Sequence, residues 1–136
     1  MSVFTTGVYQ GNLKMTLTHE DSGATITTAA PKDNQGDGSS FSPTDLLAAA
    51  LGSCVLSTIG IVAARDGVDL RGAHYRVEKI MSADPRRVGS LDLEVHLPVI
   101  LSDAHRRKYE AAAATCAVKR SLAVAIIVAI AYHYDV

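Results

Sequence analysis

A chain of 136 residues, 48% hydrophobic and 20% charged, has the length of one ordinary domain and the composition of a globular one. Its net charge of −1 gives no general attraction to nucleic acid or to anionic membranes. His19, His74, His96, His105 and His133 are scattered singly, without metal-ligand spacing, so no metal is expected.

Met1 to Thr6 lack the basic start and apolar core of a secretory signal. The expectation is a cytoplasmic protein whose two cysteines, Cys54 and Cys116, are kept reduced. The N-terminal third reads as strands. Val8-Tyr9-Gln10 and the stretch from Leu13 flank Gly11-Asn12, which suits a tight hairpin turn. Leu13, Met15 and Leu17 then alternate with Lys14, Thr16 and Thr18, the period of a half-buried strand. After Asp21-Ser22-Gly23 a third strand spans Ala24 to Thr28. Pro31 to Ser40 is rich in turn formers and reads as a loop.

Ser42-Pro43-Thr44-Asp45 opens a helix, with Ser42 as N-cap, Pro43 at the first helical position and Asp45 favouring the positive end. It should run to Arg65 or Asp66, with Gly67 near its stop. From Leu46 to Ala64 there is no charged residue, which meets the length of a membrane span. Ala, Gly, Ser and Thr fill much of that stretch, and soluble strand patterns flank it. A central helix covered on nearly all sides is the better reading, and in so small a chain a dimer partner would supply the cover.

A strand near Ala73 to Met81, a turn at Asp84-Pro85 and a second strand follow. In the second, Leu91, Leu93, Val95 and Leu97 alternate with Asp92, Glu94 and His96. Ser102 and Asp103 open another helix, which runs through Tyr109 and the alanines that follow. The segment from Leu122 to Ala131 is apolar on both alternating faces, which predicts a strand interior to a sheet. The order β-β-β-α-β-β-α-β makes an α+β domain spanning 1–136, without repeats or linkers.

Two residues are candidates for chemistry. Cys54 lies mid-helix in Ala50-Leu51-Gly52-Ser53-Cys54, where Gly52 and Ser53 allow close approach by another backbone or a substrate. So far past the N-cap the helix dipole has faded, so a reactive Cys54 needs a cation or donor from elsewhere in the fold. A free cysteine in an apolar helix also reads as a small core residue. Cys116 follows the second helix, ahead of Lys119 and Arg120. Free N–H groups of a following turn would lower its pKa, and the end of the preceding helix would raise it. The sequence leaves both open.

Three motifs in register bear on the choice. Phe41 to Cys54 resembles the Ser-Pro-x-(Glu/Asp)-Leu-Leu…Gly-(Ser/Ala)-Cys helix of the OsmC and organic-hydroperoxide-resistance family. Asp84-Pro85-Arg86-Arg87-Val88 resembles the turn before that family's next strand. Cys116-Ala117-Val118-Lys119-Arg120-Ser121-Leu122 resembles its Cys-Pro-Val-x-(Arg/Lys)-Ser-Leu box, with Ala117 where proline is usual. The match runs from about Gly7 to the C-terminus. The resemblance implies an intertwined homodimer with central helices and active sites at the subunit interface. It also implies a peroxidatic Cys54 that attacks a small hydroperoxide, a resolving Cys116, and an external dithiol reductant such as dihydrolipoamide, with no bound cofactor.

Two departures separate this chain from the organic-hydroperoxide subgroup. The subgroup's glutamate after the helix-opening proline is Thr44 here, and no arginine precedes Arg65, leaving Lys14 and Lys32 as the only early cations. Lysine lacks the planar fork of an arginine clamp. Two readings follow from this: a thiol peroxidase acting on organic hydroperoxides or hydrogen peroxide in oxidative stress defence, and a divergent dimer that binds a small apolar or thiol-bearing ligand.

Overall fold

In the computed structural model, which describes residues 1–136, the chain divides into two units, Met1–Leu47 and Ala48–Val136. Each has its own three-stranded sheet. The first holds strands β1 (Thr5–Gly11), β2 (Lys14–His19) and β3 (Thr25–Ala29), antiparallel in that order. The hairpin turn sits one residue later than expected. A register shift between Tyr9 and Gly11 draws Gly11 into the strand, and Asn12 and Leu13 take the positive φ values of 54° and 60°. The Tyr9 hydroxyl accepts a bond from the Leu13 N–H at 3.2 Å and steadies that strained pair.

Pairing places Gly7, Tyr9, Met15, Leu17 and Ile26 on one face of this sheet. Much of that face is open, with Tyr9 60% and Ile26 52% exposed. The Pro31–Ser40 loop closes on itself. Asn34 and Gly36 N–H groups donate to the Pro31 carbonyl, and Gly38 N–H donates to that of Ala30. Gly36 lies so close to the Ala30 backbone that a Cβ there has no room. Lys14 pairs with Asp37 at 3.0 Å.

Helix α1 (Pro43–Arg65) begins with the expected cap, in reciprocal form. Ser42 Oγ accepts from the Asp45 N–H at 3.1 Å, and the Asp45 carboxylate accepts from the Ser42 N–H at 2.8 Å. It ends as expected, with Gly67 at φ 69°. Its buried residues, Ala48, Leu51, Gly52, Val55, Ile59 and Ala63, form one stripe. The expected cover on nearly all sides is therefore absent from a single chain: Ile61, opposite the stripe, is 57% exposed.

The second sheet orders β4 (His74–Ser82), β5 (Arg87–Leu97) and β6 (Ile127–Tyr134), with β4 antiparallel and β6 parallel to β5. The interior strand is thus β5, whose Leu91, Leu93, Val95 and Leu97 are 0 to 1% exposed. The terminal strand, expected inside the sheet, is an edge, and it begins at Ile127 rather than Leu122. A short helix and a turn consume the residues before it, so the apolar run is longer than the strand it feeds. Helix α2 (Asp103–Ala113) has its expected cap, the Ser102 hydroxyl accepting from the His105 N–H.

Both α1 and α2 cover the inner face of this sheet. Tyr75 of β4 lays its ring on Gly52 and donates its hydroxyl to the Ala49 carbonyl at 3.3 Å. Tyr134 of β6 donates to Glu110 of α2 at 2.9 Å, under the Arg106 guanidinium. The C-terminal end of α1 is tied to the middle of α2, where Asp66 receives Tyr109 at 3.1 Å and Lys108 at 2.7 Å. This places the middle of α1 beside the segment that leaves α2.

Candidate thiol site

That segment is where the second cysteine lies. After α2 the chain makes a tight turn, with Thr115 and Cys116 N–H groups donating back to Ala112 and Ala113. It then forms a five-residue helix, α3 (Ala117–Ser121), with Cys116 at the N-cap. So short a helix leaves no periodic signal in a sequence. Of the two alternatives left open for Cys116, the position is that of the first, at the start of a new helical turn, but the pKa is raised as in the second, by burial and by Cys54. Both cysteines are free thiols, Cys116 fully buried and Cys54 half-buried.

The Cys116 thiol hydrogen-bonds to the Cys54 sulfur, so α1 and the start of α3 bring the two candidate residues together. Burial alone would raise the Cys54 pKa. Hydrogen bonds from Cys116, the Val118 N–H, Thr58 and the Ala117 N–H outweigh it and hold Cys54 below an ordinary thiol. For Cys116 the balance is reversed. Burial and its bond to Cys54 push its pKa up, against smaller help from the Lys119 and Val118 N–H groups. The charge therefore rests on Cys54, and Cys116 keeps its proton as the donor. As anticipated for a mid-helix cysteine, donors come from another part of the fold, Cys116 and the Ala117 and Val118 N–H groups, and Thr58 of α1 adds to them.

Gly52 admits neither a backbone nor a substrate: the Tyr75 ring fills the space where its Cβ would stand. Sequence reasoning missed Tyr75, the Ala117 and Val118 amides, and Thr58. Only Thr58 left a local trace, four residues after Cys54 on the same helical face. Its hydroxyl donates to the Cys54 carbonyl at 2.8 Å. Thr44, at the position of the subgroup's glutamate, lies beside Ser42 Oγ at 3.2 Å, and the neighbouring Asp45 is engaged in the helix cap.

The histidines expected to stand singly do not all do so. His74, His96 and His133 form one cross-strand row on the outer face of the second sheet, stacked at 4.5 and 4.8 Å. The cause is register, which sets His96 opposite both of the others. The rings are near parallel, His96 Nδ1 bonds Asp135 at 2.9 Å, and no group of three His, Cys, Asp or Glu is placed to hold a metal ion.

The chemistry open to this pair is thiolate attack followed by capture of the oxidised sulfur by the adjacent thiol. Known proteins resemble the chain in sequence and in fold. The family model for OsmC-like protein matches residues 36–131. A Psychrobacter arcticus protein, named for osmotic stress induction and detoxification response, superposes with a TM-score of 0.92 at 39% identity, over 98% of this chain and 96% of that one. A Legionella pneumophila organic hydroperoxide resistance protein OsmC shares the fold with a TM-score of 0.73 at 19% identity, over 98% and 97%. A Vibrio cholerae protein named for organic hydroperoxide resistance, with captopril in one of its active sites, gives 0.72 at 21% identity, over 100% and 93%. Among curated proteins, none matches significantly.

Proposed function

This chain belongs to the OsmC-like protein family, and from that premise we propose that it is a thiol-dependent peroxidase of oxidative stress defence, working as a homodimer in the cytoplasm. The single observation that carries the reading is the hydrogen-bonded pair Cys54–Cys116, with Cys54 lowered and Cys116 raised. The Cys54 thiolate attacks the outer oxygen of a hydroperoxide, ROOH. The O–O bond breaks, sulfur is oxidised to Cys54–SOH, and the leaving alkoxide takes a proton to become ROH. The Cys116 sulfur then attacks Cys54–SOH, giving the disulfide and releasing water. An external dithiol such as dihydrolipoamide is oxidised as it returns both thiols to the reduced state. No bound cofactor is needed, and neither nucleic acid nor membrane has a part.

The test is mass spectrometry of the purified protein titrated with cumene hydroperoxide and, separately, with hydrogen peroxide. One equivalent of the preferred oxidant should convert the reduced chain to the Cys54–Cys116 disulfide, and a dithiol should reverse it. If neither thiol reacts while ordinary exposed thiols do, the peroxidase reading fails. A second reading, a dimer that binds a thiol-bearing ligand, takes support from the thiol drug captopril in an active site of the Vibrio cholerae relative. It predicts ligand-dependent protection of Cys54 from alkylation without turnover.

A further inference from the structure

Thr58 of α1 carries a hydroxyl that bonds the backbone of Cys54 itself. One turn beyond Cys54, it lies along the same face, and helix geometry tips its side chain back toward that residue. The hydroxyl bonds the Cys54 carbonyl at 2.8 Å. That carbonyl does not depend on it, because both residues lie inside α1 and the helical ladder supplies the Thr58 N–H to the same oxygen. The hydroxyl has only one proton, so it serves the carbonyl or the sulfur but not both. Rotation about one bond moves it between them.

We propose that the Thr58 hydroxyl leaves the Cys54 carbonyl for the Cys54 sulfur when that thiol ionises, and so adds to the support of the thiolate. The proposal rests on Cys54 being the reacting thiol. Other groups face the same turn of α1. Cys116 and the Ala117 and Val118 N–H groups approach from the α3 side, with the cations Lys119 and Arg120 following. The Tyr75 ring approaches from β4, its hydroxyl spent on Ala49. Thr58 is the member of this set that a substitution can remove without disturbing the Cys54–Cys116 pair.

The experiment follows alkylation of Cys54 by iodoacetamide across pH, read by peptide mass spectrometry in the full chain, and so needs no peroxide turnover. Thr58→Val keeps the branched shape and removes the donor. It should slow alkylation near pH 7 by about 5- to 10-fold and shift the profile to higher pH, with the alkaline plateau within about twofold. Thr58→Ser should restore the wild-type profile. Thr58→Ala, which removes the donor without any question of packing a new methyl group, should repeat the valine result. An unchanged pH profile in both Thr58→Val and Thr58→Ala would overturn the proposal and leave the hydroxyl as an ordinary backbone bond. Absence of peroxide turnover alongside the expected shift would instead count against the peroxidase reading alone.

Discussion

Cys54 and Cys116 carry the same side chain in surroundings that move their protons in opposite directions. Cys54 gathers donors while Cys116 is enclosed, keeps its proton and donates a hydrogen bond to its neighbour. Unequal roles follow. Cys54→Ser should abolish peroxide turnover, because the remaining thiol is fully buried with a raised pKa. Cys116→Ser should still permit one oxidation of Cys54, leaving a sulfenic acid that dimedone traps and that excess peroxide drives to sulfinic acid. The check is the mass of the Cys54 peptide after oxidation, with and without dimedone. Oxidation persisting in Cys54→Ser but blocked in Cys116→Ser would reverse the assignment. At this scale the sequence showed the residues but not their meeting. Cys54 stood out through the Gly52-Ser53-Cys54 motif, and Cys116 through its box. Their contact depends on how α1 and α2 lie on one sheet, which no local pattern encodes. Thr58 went unremarked because a threonine four residues after a cysteine is unremarkable without a reason to ask what that cysteine bonds.

Elements with a local chemical start signal were the most legible. The caps at Ser42 and Ser102 stand as read, since each needs only a hydroxyl and the N–H three residues on. The terminal strand was misplaced because Leu122 to Ala131 is apolar on both faces, and alternation carries no phase when both sets are apolar. Packing between elements yields two predictions. Gly52→Ala should be destabilising by about 1–3 kcal/mol, the range for overpacking, because its Cβ meets the Tyr75 ring. Thermal melts of Gly52→Ala, Tyr75→Ala and the double variant should show coupling, with the second change costing less in the presence of the first. The other concerns the α1–α2 tie. Burial, and then the bond to the Asp66 carboxylate, push the Tyr109 hydroxyl up to about 12. A raised acid is protonated in the folded chain where the unfolded chain has lost its proton. Its contribution is therefore full below about pH 10 and is lost as pH rises through about 12. Tyr109→Phe should cost about 1 kcal/mol at neutral pH in urea unfolding and make stability less sensitive to pH in that alkaline window. Equal alkaline sensitivity in the variant would remove Tyr109 as its source.

For the whole molecule, the question is what covers the apolar surface that one chain leaves open. Tyr9 and Ile26 lie on one face of the first sheet, and Ile61 lies opposite the buried stripe of α1, each more than half exposed. In a chain this small, burial is the main source of stability, so a long apolar helix with one side bare argues for a second copy. Light scattering at micromolar concentration should give twice the 14.4 kDa chain mass. Ile61→Lys separates the alternatives. At a site that faces solvent, such a change alters stability by no more than about 0.5 kcal/mol. Set in an apolar interface between two copies, the ammonium loses its water, and the substitution should cost several times that amount while shifting the mass toward a single chain. The wild-type melt should depend on protein concentration, and that dependence should weaken in the variant as it runs as a single chain. If the wild type runs as a monomer with a cooperative melt, and Ile61→Lys is equally stable, the bare side of α1 is tolerated by one chain alone and the shared core does not exist.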